Sequence, residues 1–160
     1  MATAQVHIYT DGSALGNPGP GGYGIIMELV GKQYSKEFSQ GFAYTTNNRM
    51  ELLAVIVALE NLKKQPMEVI VFSDSKYVID SVEKKWVFGW KKKNFKGKKN
   101  SDLWKRFLSV YALHNIRFQW VKGHNDHPQN ERCDRLAVDA AKNGVKIKDT
   151  FFEKESKKEY

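Results

Sequence analysis

Val69-Ile70-Val71-Phe72-Ser73-Asp74-Ser75 is the stretch whose reading decides the fold. A short run of β-branched and aromatic residues without alternation is the pattern of a strand covered on both faces. It breaks into Ser-Asp-Ser, a helix-capping pattern, so a buried strand hands over to a short helix that runs through Val82 and leaves a carboxylate at the join. Upstream, residues 50–62 are apolar on nearly all sides and rich in helix formers, with Thr46 or Asn47 as N-cap and Lys63-Lys64-Gln65-Pro66 as the stop. A helix without a polar face is a buried one. Downstream, residues 101–113 read as a helix and 116–121 as a last strand. A loop over 123–129 then leads to a helix over 130–142, with Cys133, Leu136, Ala137, Ala140 and Ala141 on one face.

Toward the N-terminus, residues 6–10 form a strand running into Asp11-Gly12. Gly16-Asn17-Pro18-Gly19-Pro20-Gly21-Gly22 is dense turn chemistry that excludes helix and regular strand. Strands over 23–30 and 33–38 are joined through Gly31-Lys32 as a hairpin. An antiparallel meander followed by alternating helices and strands predicts an α/β fold, a mixed sheet with helices on both faces. The 160 residues make one domain, residues 1–145, and a mixed-charge tail over 146–160 that is expected to fray.

Composition narrows the function. With 41 % hydrophobic and 28 % charged residues the chain has a globular make-up, and no run nears the ~20 apolar residues of a membrane span. The N-terminus lacks a basic region followed by an apolar run, so no secretory signal is expected. Cys133 is the only cysteine, which excludes an internal disulfide and suits a reducing compartment, the cytoplasm. The net charge of +8 is local: eight lysines and no acid fall within residues 84–99, and the remaining 18 basic residues balance the 18 acidic ones. Concentrated positive charge points to a polyanionic partner.

Four acids stand where a lone charge is costly: Asp11 at a strand end, Glu51 in a buried helix, Asp74 after a buried strand and Asp134 beside an apolar stripe. Each has a bland reading. Asp74 serves as an N-cap, Asp134 favours its helix dipole, Glu51 pairs with Arg49 or Arg135, and Asp11 is a turn residue before Gly12. Those readings do not explain four acids at strand ends and helix starts, positions that gather at one end of an α/β sheet. Clustered carboxylates require a cation. All-oxygen ligation selects Mg2+, with Mn2+ as the alternative, and two such ions about 4 Å apart suit phosphodiester hydrolysis.

The ordered set Tyr9-Thr10-Asp11-Gly12-Ser13, the glycine-rich run, Thr46-Asn47-Asn48-Arg49-Met50-Glu51, Ser73-Asp74-Ser75, Trp86 and Trp90 among lysines, Val121-Lys122-Gly123-His124 and Asn130-Glu131-Arg132-Cys133-Asp134 resembles ribonuclease HI, the bacterial type 1 ribonucleases H. The resemblance spans residues 6 to 142. It implies a ribonuclease H-like mixed five-stranded sheet of order 3-2-1-4-5, with strand 2 antiparallel and helices on both faces. It implies cleavage of the RNA strand of RNA–DNA hybrids by a two-metal-ion mechanism, leaving 3′-hydroxyl and 5′-phosphate ends, by a free-standing monomer. Asp11, Glu51, Asp74 and Asp134 become metal ligands, and His124 assists proton transfer or product release.

Gly12, Ser13, Asn17, Asn47 and Asn48 suit sensing the 2′-hydroxyl, which separates RNA from DNA, although Asn17 taken alone reads better as a plain turn residue. By the resemblance Thr46 holds a DNA phosphate; it is equally a plain N-cap. Lys84, Lys85, Trp86, Trp90, Lys91, Lys92 and Lys93 become the basic protrusion that grips the DNA strand, with one tryptophan packing on the core. Trp104 and Trp120 read as core, His7 and His114 as structural. A zinc reading of His124, His127 and Cys133 lacks a further cysteine or histidine.

Three departures from the family pattern stand out. Asn125-Asp126 replaces two small residues, Lys76 follows Ser75 where glutamine is frequent, and the protrusion is a few residues short. Integrases, transposases and resolvases share the acidic site but lack the combined motifs. A non-catalytic binding module would lose an acid, and none is lost here.

Overall fold

The computed structural model describes residues 5–122 and 127–158. β1 (Gln5–Ala14), β2 (Gly19–Leu29) and β3 (Ser35–Thr45) form the antiparallel meander, and β4 (Glu68–Ser73) and β5 (Asn115–Trp120) add in parallel beyond β1. The expected order 3-2-1-4-5 holds, with one addition. A two-residue strand, β6 (Lys146–Ile147), pairs parallel to β3, so the six-stranded order is β5-β4-β1-β2-β3-β6.

α1 (Asn47–Glu60) packs on one face of the sheet together with α2 (Lys76–Glu83) and α4 (Ser101–Tyr111). Its residues Met50, Leu52, Ala54, Val55, Ile56 and Ala58 are wholly buried, as a helix without a polar side must be. Trp104 and Phe107 of α4 close the core behind it. α5 (Pro128–Asn143) covers the opposite face over β1, β2 and β3. A Cβ at Gly24 would collide with the Cys133 carbonyl, so glycine there lets β2 and α5 approach closely.

Several expectations change. β2 begins at Gly19, inside the run whose turn chemistry was expected to exclude strand; the ladder accommodates it through a register shift between Gly19 and Gly21. β4 is not equally covered on both faces: Val69 and Val71 are buried, whereas Ile70 and Phe72 are half-buried, because α5 lies over β1, β2 and β3 and meets β4 only near Phe72. Trp120 is 39 % exposed rather than core, with the Lys76 Nζ 3.7 Å from its ring centroid. Trp104 is core, and His114 is structural, its Nδ1 accepting a hydrogen bond from the Met67 N–H at 3.1 Å.

Residues 146–158 of the tail are folded onto the body rather than frayed: beyond β6 they form α6 (Thr150–Lys158), tied down through Asp149, which is 7 % exposed and ion-paired with Arg49. The buried ion pair and the aromatic contact of Phe152 with Tyr44 supply what its polar composition hides. No helix among the described residues is long and apolar enough to cross a membrane.

Candidate active site

Pairing decides where the acids meet. β1 and β4 are parallel neighbours with Tyr9 opposite Phe72, their rings stacked at 4.8 Å. Asp11, inside β1, and Asp74, one residue past the end of β4, each stand two residues beyond that pair, which brings the two acids level with one another. Gly12 points the other way. A Cβ there would collide with the backbone at Met50 and Glu51, so its absence lets the start of α1 press against β1 and sets Glu51 beside Asp11. Asp134 arrives on α5, one residue after the buried Cys133, whose Sγ donates to the Tyr9 carbonyl at 3.3 Å.

Carboxylate oxygens of Asp11, Glu51 and Asp74 lie within 4.8 Å of one another. Asp134 falls outside that tight group but lines the same open cleft of about 430 Å³, with Gly12, Ser13, Asn47, Asn48 and Lys76. His124 and Asp126 lie outside the described residues. Among the described residues, neither His127 nor Cys133 belongs to a metal-ligating group. Burial raises the Cys133 thiol far above its ordinary range, so it stays protonated.

Asp11 is 3 % exposed, and the Glu51 Oε2 is shielded from solvent with no hydrogen-bond partner. The Glu51 carboxyl is held well above the ordinary carboxylate range, first by burial and then by the charge of Asp11, its hydrogen bond to Asp11 and the charge of Asp74; the Gly12 backbone pulls weakly the other way. Three close carboxylates with an unpartnered buried oxygen form an all-oxygen donor set, and such a set fits a hard divalent cation.

The polar residues around the acids are themselves anchored. Thr46 caps α1, its Oγ1 accepting from the Arg49 N–H at 3.2 Å. Asn47 Oδ1 accepts from the Ala14 N–H at 2.6 Å, and Asn17 Oδ1 accepts from the Asn47 N–H at 3.0 Å. Both carbonyl oxygens are thus committed to backbone, and the amide NH2 is what each side chain offers a ligand. Asn17, Thr46 and Asn48 line a second, larger cleft of about 640 Å³ beside the first.

The basic segment sits apart from the acids and their strand ends. α3 (Trp86–Lys92) carries Trp86, Trp90, Lys91 and Lys92, with Lys84 and Lys85 before it and Lys93 after it. Trp86 is 47 % exposed, whereas Trp90 packs edge-on against Trp104, so one tryptophan of the pair faces solvent and the other joins the core. The lysines cap rings as well: Lys84 lies over Trp86 and Lys98 over Trp90, at 5.3 and 5.2 Å.

Sequence reasoning missed a second charged centre. Arg49, offered as a partner for Glu51, instead pairs with Asp149 through Nε (2.6 Å) and Nη2 (2.9 Å) and with Asp102 through Nη1 (2.8 Å) and Nη2 (2.7 Å). Thr45 Oγ1 donates to Asp149 at 2.7 Å, and Arg49 Nη1 reaches Asn100 Oδ1 at 3.3 Å. Asn100 and Trp104 both donate to the Tyr77 hydroxyl, and Tyr77 lines the cleft of the acids. No local pattern announces contacts that join residue 49 to residues 102 and 149.

A family profile described as RNase H matches residues 3–142. Over 154 residues the chain is 57 % identical to a ribonuclease H of Shewanella denitrificans, covering 93 % of this chain and 94 % of that one. It is 53 % identical over 156 residues to the ribonuclease HI of Shewanella oneidensis, covering 94 % and 96 %. The fold is similar to that of LC9-RNase H1, a type 1 RNase H with the type 2 active-site motif, with a TM-score of 0.80 at 32 % identity over 91 % of this chain and 75 % of that one. It is also similar to LC11-RNase H1 in complex with an RNA/DNA hybrid, with a TM-score of 0.61 at 28 % identity over 85 % and 96 %.

Proposed function

The chain belongs to the ribonuclease H family, and on that premise we propose that it hydrolyses the RNA strand of RNA–DNA hybrids with divalent metal ions, Mg2+ first among them. The observation that carries the reading is the packing of Asp11, Glu51 and Asp74 oxygens within 4.8 Å of one another, with Asp134 on the rim of the same cleft. These four carboxylates would hold two Mg2+ ions in the substrate complex, and Mn2+ meets the same donor requirement. When bound, such ions lower the pKa of an attacking water and neutralise the charge that develops on the leaving oxygen.

The chain's own residues bind and orient. The amide NH2 groups of Asn17 and Asn47, with Asn48 and the polar backbone around Gly12 and Ser13, line the path beside the acids where a 2′-hydroxyl or phosphate would be held. Thr46 is assigned a DNA phosphate while it caps α1, two roles that do not compete because the cap uses its oxygen as acceptor and leaves the hydroxyl proton to donate. Lys76 lines the cleft of the acids, a charged residue in place of a neutral one, and its ammonium rests on the Trp120 ring. Lys84, Lys85, Trp86, Trp90, Lys91, Lys92 and Lys93 form the surface assigned to the DNA strand, with Trp86 the exposed ring and Trp90 its support. His124 is assigned proton transfer or product release from its place in the family motif.

Water attack on phosphorus displaces the 3′-oxygen of the upstream nucleotide, so the products carry 3′-hydroxyl and 5′-phosphate ends. The protein is assigned to the cytoplasm as a monomer, consistent with its single, buried cysteine.

The test is a cleavage panel of end-labelled RNA–DNA hybrid, RNA duplex and DNA duplex, each with Mg2+ and with chelator. Cleavage of the hybrid's RNA strand alone, and only with metal, is expected. Cutting of all three duplexes, or cutting in chelator, would sink the proposal.

A further inference from the structure

The tail beyond residue 142 is not used by the functional reading, yet it is built into the surface that reading assigns to the hybrid. Asp149 is buried and accepts from Thr45 Oγ1 and from two nitrogens of Arg49, at 2.6 to 2.9 Å. Thr45 and Arg49 flank Thr46, Asn47 and Asn48, so this one carboxylate fixes the chain on both sides of the three polar residues that face the clefts. Through Arg49 the same network reaches Asp102 and Asn100, where the basic segment re-enters the body, and through Asn100 it reaches Tyr77 beside Lys76. α6 then places Phe151 and Phe152 in the lining of the larger cleft, which Thr46, Lys98 and Lys99 also line. The Arg49 guanidinium carbon lies 5.5 and 5.9 Å from the two ring centroids, and Phe152 packs on Tyr44 at 5.5 Å.

We propose that the segment 146–158 is a positioning element for hybrid binding: Asp149 sets the start of α1 against the basic segment, and Phe151 of α6 forms the aromatic wall of the cleft that receives the DNA strand. The chemistry suits a sugar–phosphate chain. Lysines in the lining would neutralise phosphate, and an aromatic ring beside them would take sugar or base. Phe151 is 39 % exposed and lines this cleft, so part of its ring is open to a ligand. A segment that served only to brace the sheet would need β6 and the Asp149 pair, but no ring facing the cleft.

The inference rests on the hybrid-cleavage reading, and two variants of the full chain test it. Asp149→Asn keeps the side-chain shape and removes the charge. Phe151→Ala opens the wall and leaves the Arg49 ion pairs in place. Steady-state cleavage of hybrid with Mg2+ gives KM and kcat, anisotropy in chelator gives hybrid affinity, and thermal melting reports stability.

Phe151→Ala is expected to raise KM by roughly tenfold, the worth of one stacked ring, with kcat unchanged and the melting temperature lowered by only a few degrees through the lost contact with Arg49. Asp149→Asn is expected to lower the melting temperature and also to raise KM, with kcat at saturating hybrid retained, and Asp149→Glu should recover part of the KM effect. A lower melting temperature with wild-type KM in Asp149→Asn, together with wild-type KM and affinity in Phe151→Ala, would overturn the proposal and leave the tail a brace. Failure of the wild type to cleave hybrid would instead overturn the functional reading beneath it.

Discussion

Two residues apart on α1, Arg49 and Glu51 enter opposite kinds of charged centre. Around Arg49 the protein supplies its own counter-charge: one guanidinium lies between Asp102 and Asp149, with each nitrogen–oxygen distance to them 2.6 to 2.9 Å. Burial works against its charge, but hydrogen bonds to the two acids hold the guanidinium above its ordinary range, so it stays protonated. Around Glu51 carboxylate meets carboxylate, and burial with the charges of Asp11 and Asp74 weakens the acid. The first centre is complete within the chain. The second carries an excess of negative charge that a divalent cation would relieve. Buried acids therefore do not mark a functional site by themselves; what marks it is the missing positive charge.

The contrast between the two centres should be most visible in activity. Asp11→Asn removes a ligand from the second centre alone, and hybrid cleavage should fall on the order of a thousandfold while the fold persists by circular dichroism. Full activity in that variant would remove Asp11 from the site.

Next in size is the first centre. Arg49→Ala leaves Asp102 and Asp149 without their partner, and breaking a buried pair costs about 3–5 kcal/mol. Thermal melting should show a drop of about 10 °C for a chain of this size. A change within error would mean the network contributes little.

Glu51→Gln should act in the reverse sense. In metal-free protein Glu51 is a weaker acid in the fold than in the unfolded chain, so folding takes up a proton above the ordinary carboxylate pKa of about 4.3. Stability falls as pH rises from there through the folded value, and above it the full penalty remains. In chelator near neutral pH, Glu51→Gln should therefore melt a few degrees above the wild type, by about 3 °C for each kcal/mol relieved, with a flatter profile across that pH window. It should also be inactive. A lower melting temperature would place Glu51 among the stabilising charges.

The smallest effect belongs to charges of neither kind, the exposed lysines around α3. Replacing Lys91, Lys92 and Lys93 by Gln should reduce the salt dependence of hybrid binding, lowering the log–log slope by roughly 0.9 for each phosphate no longer neutralised. The melting temperature should hold. An unchanged slope would place the DNA strand elsewhere.

Much of this was legible in the sequence because it is carried by local pattern. The 69–75 stretch marked a strand and the carboxylate after it, and the parallel pairing of β1 with β4 made that carboxylate a neighbour of Asp11. The all-round apolar helix bearing Glu51 was equally plain, and so was the meander before it. What escaped depends on contacts far apart in the chain. Arg49 is 53 residues from Asp102 and 100 from Asp149, and neither acid has a local signature. The tail looked free because β6 is only two residues long and α6 is polar, so their order comes from β3, Asp149 and Tyr44 rather than from their own composition. Trp120 looked like core because its ring is large; at the end of an edge strand it stays half open and takes the Lys76 ammonium instead.

The most direct measurement is thermal melting of the wild type and Asp11→Asn, each with Mg2+ and with chelator. A ligand that binds only the folded state raises its stability by RT ln(1 + [L]/Kd). The wild type should melt higher with Mg2+ and the variant should not respond, because Asp11, Glu51 and Asp74 are the one metal-ligating group among the described residues. Equal melting of the wild type in Mg2+ and in chelator, or an equal rise in Asp11→Asn, would contradict the assignment of these carboxylates as the metal site.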